Sequence, residues 1–181
     1  MPDTGTAEPI EIIFSPDEIA NRIAQLAHDI KALKLEQMLV VAVLKGSFVF
    51  AADLIRALHR VGLAPEVDFM TLSSYQKGTT STGQVSITRD IESDVRGRNV
   101  LIIDDILESG RTLAFAKDLI VARGAKVTKT CVLLDKPVKR AAAISADLKA
   151  FDCPNAFVVG YGMDVANRFR ELPYVGRLVR E

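Results

Sequence analysis

The sequence predicts an α/β fold, a parallel sheet flanked by helices, and three observations carry that expectation. Continuous apolar runs of strand length recur at residues 38–44, 100–103 and 131–134, which is how strands buried on both faces read. Stretches with apolar residues three and four apart separate them, the period of a helix with one face on a core. Each run closes on a polar turn: Lys45-Gly46-Ser47, Asp104-Asp105 and Asp135-Lys136. Strands alternating with helices build parallel sheets with right-handed crossovers.

The elements follow in order. Residues 1–9 are polar and read as a disordered tail. Residues 10–14 suit a short strand. Ser15-Pro16-Asp17-Glu18 is a capping box with Pro at the first helical position. The helix it opens carries Ile19, Ile23, Leu26, Ala27, Ile30 and Leu33 on one face. Residues 38–44 are a buried strand, and residues 48–61 a helix closed by Gly62. Residues 67–72 form a strand, residues 76–83 (QKGTTSTG) a mobile polar loop, and residues 84–89 a returning strand, together a long hairpin. After the turn Arg96-Gly97-Arg98 comes the strand ending at Asp104, then a helix over 111–123 stopped by Gly124, then a strand over 126–134. Short strands are expected near 148–151 and 157–159. No repeat, linker or low-complexity block divides the chain, so residues 10–181 read as one domain with a small hood built from the terminal segments.

Composition narrows the function. Lys and Arg number 23 and Asp and Glu 23 among 181 residues. That balance argues against nucleic acid as the main partner. The first residues lack an apolar core and are no secretory signal. No apolar run is long enough to span a bilayer, so no membrane partner is expected. The two cysteines, Cys131 and Cys153, lack metal-ligand spacing and read as reduced core thiols. A cytoplasmic protein is expected. Mean hydropathy of +0.19 leaves room for apolar surface buried between subunits.

The chemistry concentrates in residues 99–113, NVLIIDDILESGRTL. Parallel sheets hold ligands beyond the carboxyl ends of their strands. Two anions placed there need sugar hydroxyls, a divalent cation, or both. The turn Ser109-Gly110-Arg111-Thr112 then opens a helix, offering backbone N–H groups, hydroxyls and a positive dipole end that suit a phosphate. Together they suggest a phosphorylated sugar. The bland reading is a buried strand that meets a helix through Asp-Asp by chance. No P-loop pattern occurs, and Gly160-Tyr161-Gly162 begins a dinucleotide-type glycine motif that fails at Val165.

This segment resembles the phosphoribosyl pyrophosphate (PRPP) signature of the type I phosphoribosyltransferases: apolar residues, two acids, two apolar residues, an acid, a small hydroxylated residue, Gly, any residue, Thr. Other segments extend the likeness, from about residue 10 to 176, to the 6-oxopurine (hypoxanthine-guanine) phosphoribosyltransferases. Leu44-Lys45-Gly46-Ser47 resembles the family's pyrophosphate loop. Ser73-Ser74-Tyr75 resembles the base of its lid. Lys136 and Phe157-Val158-Val159-Gly160-Tyr161-Gly162-Met163-Asp164 resemble its purine site.

The resemblance implies these roles. Asp104 and Asp105 hold the ribose hydroxyls and Mg²⁺. Ser109, Gly110, Arg111 and Thr112 grip the 5′-phosphate. Lys45, Gly46 and Arg170 bind pyrophosphate, and Ser74 and Tyr75 belong to the lid. Lys136, Phe157 and Val158 take the purine, and Asp164 helps hold a second metal ion. Glu108 accepts the purine proton, where the family more often has Asp. PRPP and a 6-oxopurine are the implied substrates, and a homodimer or homotetramer the implied assembly. Two rivals stay open at this point: an RNA-binding regulator on the same fold, and a receiver-like phosphoacceptor using Asp105. Within the family, the alternatives are a xanthine, adenine or orotate enzyme.

Overall fold

The computed structural model describes residues 9–74 and 84–179. The expected tail and polar loop, with Tyr75, lie outside the described residues except for Pro9. The elements are β1 (Ile10–Phe14), α1 (Pro16–Ala32), β2 (Leu39–Leu44), α2 (Phe48–Arg60), β3 (Glu66–Ser74), β4 (Val85–Arg89), β5 (Asn99–Leu107), α3 (Arg111–Ala122), β6 (Val127–Asp135), β7 (Leu148–Asp152), β8 (Val158–Val159) and β9 (Val175–Leu178). A 3-10 turn, Pro137–Lys139, follows β6.

The larger sheet has the order β4-β3-β2-β5-β6-β7, and all its neighbours are parallel except β3 and β4. Alternation along the central strands feeds two cores. Val40, Ala42, Leu101 and Ile103 face α1 and α2, with Ile19, Ile23, Leu26, Phe50 and Leu54. Leu39, Val41, Val43, Val100 and Ile102 face α3, with Leu113, Ala116 and Ile120. Both faces are apolar, so these strands read as unbroken apolar runs. α1 begins at the expected capping box: the Ser15 amide donates to Glu18 Oε2 at 2.8 Å and the Glu18 amide to Ser15 Oγ at 3.3 Å. Arg22 fastens the helix to β7, donating to the carbonyls of Lys149 (2.8 Å) and Ala150 (3.0 Å).

A second sheet, β1-β9-β8, is antiparallel and joins the chain's two ends. Val158, Tyr161, Met163 and Val175 carry it onto the α1 and α2 core. β9 is the strand the sequence reading lacks. Its four residues include Gly176 and Arg177, and it is held by partners distant in sequence, such as Ile10 opposite Leu178.

One strand runs further than expected. β5 continues through Asp104 and Asp105 to Leu107, paired with β6 as far as Asp135. Its pairing with β2 stops at Ile103. Beyond that residue β5 has lost its neighbour on one side. The chain also leaves β2 and β5 for opposite faces, into α2 and α3. This is a topological switch point, where such sheets open a crevice. Among the described residues no helix is long and apolar enough to cross a membrane.

Leu101 is fully buried at the sheet's centre. Leu101→Ala is expected to cost about 2–5 kcal/mol of stability, read as a lowered urea midpoint with an unchanged slope.

Candidate active site

The crevice is a cavity of about 880 Å³. Lys45 and Gly46 from the β2–α2 turn form one side, and Asp104, Asp105, Glu108, Ser109, Gly110 and Thr112 the other. Asp164 and Arg170 close it from the C-terminal third. The two turns thus sit on either side of the place where β2 and β5 part.

Glycine at position 46 is required by close approach. A Cβ there would run into the Asp105 carboxylate, whose Cγ would be 2.8 Å away. The Leu44–Lys45 peptide is cis, within the turn that resembles the family's pyrophosphate loop. Ser47 Oγ donates to the Val43 carbonyl at 2.5 Å and closes the turn. Across the cavity, Gly110 has φ +79° and precedes α3 with no side-chain cap. The Arg111 amide donates to Ser109 Oγ at 3.4 Å, and the amides that follow it in the first turn of α3 face an anion at the positive end of its dipole.

Asp104 and Asp105 both line this cavity, and the two carboxyls act on one another. Burial, then the Asp105 charge beside it, push the Asp104 carboxyl well above the usual range. Asp104 Oδ1 accepts the Asp105 amide at 2.9 Å. Burial also raises Asp105, against hydrogen bonds from Asp104 and the Ile106 amide and the Arg170 charge, which lower it. Ionising both carboxyls in the crevice is therefore costly, and a diol or a cation would offset that cost.

Glu108 and Lys136 meet. Lys136 is 6% exposed, and its Nζ lies 3.0 Å from Glu108 Oε1. Lys139 adds a second ammonium at 3.9 Å. A buried ammonium needs such a partner. The Lys136 amide also donates to the Leu107 carbonyl at 2.9 Å, fixing the lysine to the end of β5. Asp164 and Arg170 pair as well, at 2.8 Å, while Arg170 donates to the Gly162 carbonyl at 2.6 Å.

Several expected residues lie outside the walls of this cavity. Arg111, Lys136, Phe157 and Val158 are not among the cavity walls. Lys136 reaches the site through Glu108. Phe157 is 51% exposed on the small sheet, beside Arg177 and Val179. Ser74 ends β3 opposite Val85. Among the described residues no group of three or more His, Cys, Asp or Glu forms a metal cluster. Asp164 is held by Arg170 and by the Asn167 amide. Thr71, Thr88 and Lys139 do line the cavity and were missed by sequence reasoning, and Ser73, read as part of the lid base, lines it too. The hydroxyls along the hairpin were the available signal.

Comparison with known proteins gives a consistent result. Residues 11–166 match the family model described as phosphoribosyl transferase domain. The chain is 42% identical over 173 residues to hypoxanthine phosphoribosyltransferase of Salmonella typhimurium, covering 94% of this chain and 96% of that protein. It is 48% identical over 172 residues to the bifunctional protein TilS/HprT of Listeria innocua, and spans only 26% of that longer protein. The solved hypoxanthine phosphoribosyltransferase of Trypanosoma cruzi, in complex with the product IMP, superposes with a TM-score of 0.87 at 36% identity, covering 98% of both chains.

The carboxylate pair has a measurable consequence for stability. Folding raises the Asp104 pKa, so its contribution is present at low pH and is lost as pH rises through the folded value. Asp104→Asn is therefore expected to stabilise the protein by about 1 kcal/mol or more at pH 7.5 in EDTA buffer, with the gain disappearing near pH 4. Thermal unfolding at the two pH values reads the difference.

Proposed function

The chain belongs to the phosphoribosyltransferase family, and from that premise we propose that it serves purine salvage. It transfers the 5-phosphoribosyl group of PRPP to N9 of hypoxanthine or guanine, giving IMP or GMP and pyrophosphate. The single observation that carries this reading is the Glu108–Lys136 pair beside a carboxylate and phosphate-turn crevice.

The chemistry follows from the residues. Asp104 and Asp105 take the ribose 2′ and 3′ hydroxyls. The amides and hydroxyls of Ser109 to Thr112 take the 5′-phosphate. The bond to pyrophosphate breaks ahead of attack, so positive charge grows at the anomeric carbon. The charge on the leaving group is met by Arg170 and the Lys45-Gly46 turn. Lys136 donates to the O6 acceptor of a 6-oxopurine. It disfavours adenine, whose C6 amine is itself a donor. Glu108 receives the purine proton, and the neighbouring ammoniums hold its charge. Phe157 offers an exposed ring face for stacking, and the Val158 main chain the purine edge. Ser74 and Tyr75 stand at the base of a lid that excludes water from the cationic sugar.

Mg²⁺ fits this donor set. Two hard carboxylates, Asp104 buried and Asp105 half-buried, that form no salt bridge among the described residues suit a metal that takes most of its oxygens from water and substrate. Asp104 and Asp105 would hold it, with Asp164 joining on release from Arg170. When bound, it offsets charge on the departing pyrophosphate.

The domain reading is one unit over 10–181, with β9 closing the small sheet beyond the family match. Cys131 and Cys153, buried and free, suit a reducing compartment, and we place the enzyme in the cytoplasm. A homodimer or homotetramer is the proposed assembly, with exposed Phe48 and Phe69 as apolar surface for it.

With PRPP and Mg²⁺, a spectrophotometric screen of five nucleobases is expected to detect turnover of hypoxanthine or guanine and none of adenine or orotate. Turnover of adenine alone would overturn the Lys136 assignment. Glu108→Gln is expected to lower kcat roughly 10²- to 10⁴-fold while PRPP binding, followed by calorimetry, changes little.

A further inference from the structure

The phosphate turn is braced from behind, and the brace depends on one side chain. The Ser109 carbonyl accepts the amides of Ala141 (2.8 Å) and Ala142 (3.0 Å). A Cβ on Gly110 would come within 2.6 Å of Ile144 Cγ2 and 3.2 Å of Arg140 Cδ. Residues 140–144 thus form a strap under the turn, yet they belong to no helix or strand. Something else must hold them. The Arg140 guanidinium donates to the Ile144 carbonyl at 2.8 Å, to Asp135 Oδ1 at 2.6 Å and to the Leu107 carbonyl at 3.4 Å. It ties the strap to the ends of β5 and β6 at once. The Leu107 carbonyl it touches is the one that fixes the Lys136 amide. Only a planar fork with several donors bridges acceptors placed this way, and a lysine ammonium does not replace it.

Resting on the phosphoribosyl-transfer reading, we propose that Arg140 is a positioning residue for PRPP. It holds the 140–144 strap, and the strap keeps the Ser109–Gly110 turn open toward the 5′-phosphate. The effect of losing it is local. Asp135 keeps Lys149 as a partner at 3.2 Å, so removing the guanidinium leaves no bare buried charge. What is lost is the restraint on the strap, and with it the preorganisation of the anion site.

The test uses the full chain with two variants. Arg140→Met keeps the stem and removes the fork. It is expected to raise the KM for PRPP at least tenfold, with kcat within threefold and the KM for the base within twofold of the parent. Arg140→Lys is expected to recover less than half of that loss. Hydrogen exchange at the Ala141 and Ala142 amides should quicken at least tenfold in Arg140→Met, with the β2 amides unchanged. Ala142→Pro, which deletes one donor to Ser109 and spares Arg140, should reproduce the rise in KM. It also keeps the question answerable if Arg140→Met does not fold. A KM for PRPP within twofold of the parent in the variants overturns the proposal. Faster exchange throughout β2 also overturns it, because that marks a general loss of structure. Failure of the parent to turn over PRPP would instead defeat the functional reading, while the exchange pattern still reports on the strap.

Discussion

The site exists because β5 outlasts β2. Hydrogen bonding between them ends at Ile103, while β5 continues alongside β6 to Leu107. Everything catalytic hangs on those four further residues and the turn after them. Had β2 run equally far, Asp104 and Asp105 would face a paired strand in a dry sheet, where two carboxylates are untenable. The Lys45-Gly46-Ser47 turn occupies the vacated space instead, so near that only hydrogen fits on Gly46 beside Asp105. Two turns that lie more than 60 residues apart in the chain thereby become opposite walls of one crevice.

Charge within the crevice is arranged as pairs that a substrate can exchange. Glu108 holds Lys136, and Asp164 holds Arg170. Each cation is thus kept in place by a carboxylate before any ligand arrives. An isolated buried ammonium would be costly, and a mobile one would bind poorly. Pairing solves both difficulties, since the side chains are ordered beforehand and only the partner changes. Asp104 and Asp105 are the exception. They repel one another, and burial raises both. Stability is sacrificed at the point where the ligand's hydroxyls or a cation would restore it, the usual trade at a functional site.

Much of this was legible in the chain, for physical reasons that differ by residue. Ser15 and Glu18 announce α1 because a capping box is local chemistry. The runs at 38–44 and 131–134 announce β2 and β6 because burial on both faces removes polar alternation. β9 was illegible because Val175–Leu178 gains its structure from β1 and β8, far off in sequence. The end of β5 was misread because paired acids ordinarily stop a strand, although Ile106 and Leu107 carried the contrary signal. Side-chain pairing was harder still. Nothing local joins Glu108 to Lys136, or Arg170 to Asp164, since rotamers and distant backbone decide those contacts. Gly160-Tyr161-Gly162, which looks like the opening of a nucleotide fingerprint, turns out to serve packing. All three residues have positive φ, Gly162 abuts the Gly46 carbonyl, and the Tyr161 hydroxyl donates to Asp53.

The glutamate at position 108 is best understood through its partners. Its place just beyond Leu107 sets the backbone at the rim of the sheet, and Lys136 rises from the end of the neighbouring strand β6. The two must meet across the gap between strand ends, and the extra methylene of Glu supplies reach while keeping the carboxylate. The cost is one more rotatable bond to order, a fraction of a kcal/mol up to about 1 kcal/mol. Lys136 at 3.0 Å and Lys139 at 3.9 Å offset it by confining the head group. A longer acid held between two ammoniums can therefore occupy a definite position, where a longer acid on an unpartnered rim would sample many. The longer acid is accommodated by the lysines that surround it, because those surroundings, more than its length, determine where its oxygens lie.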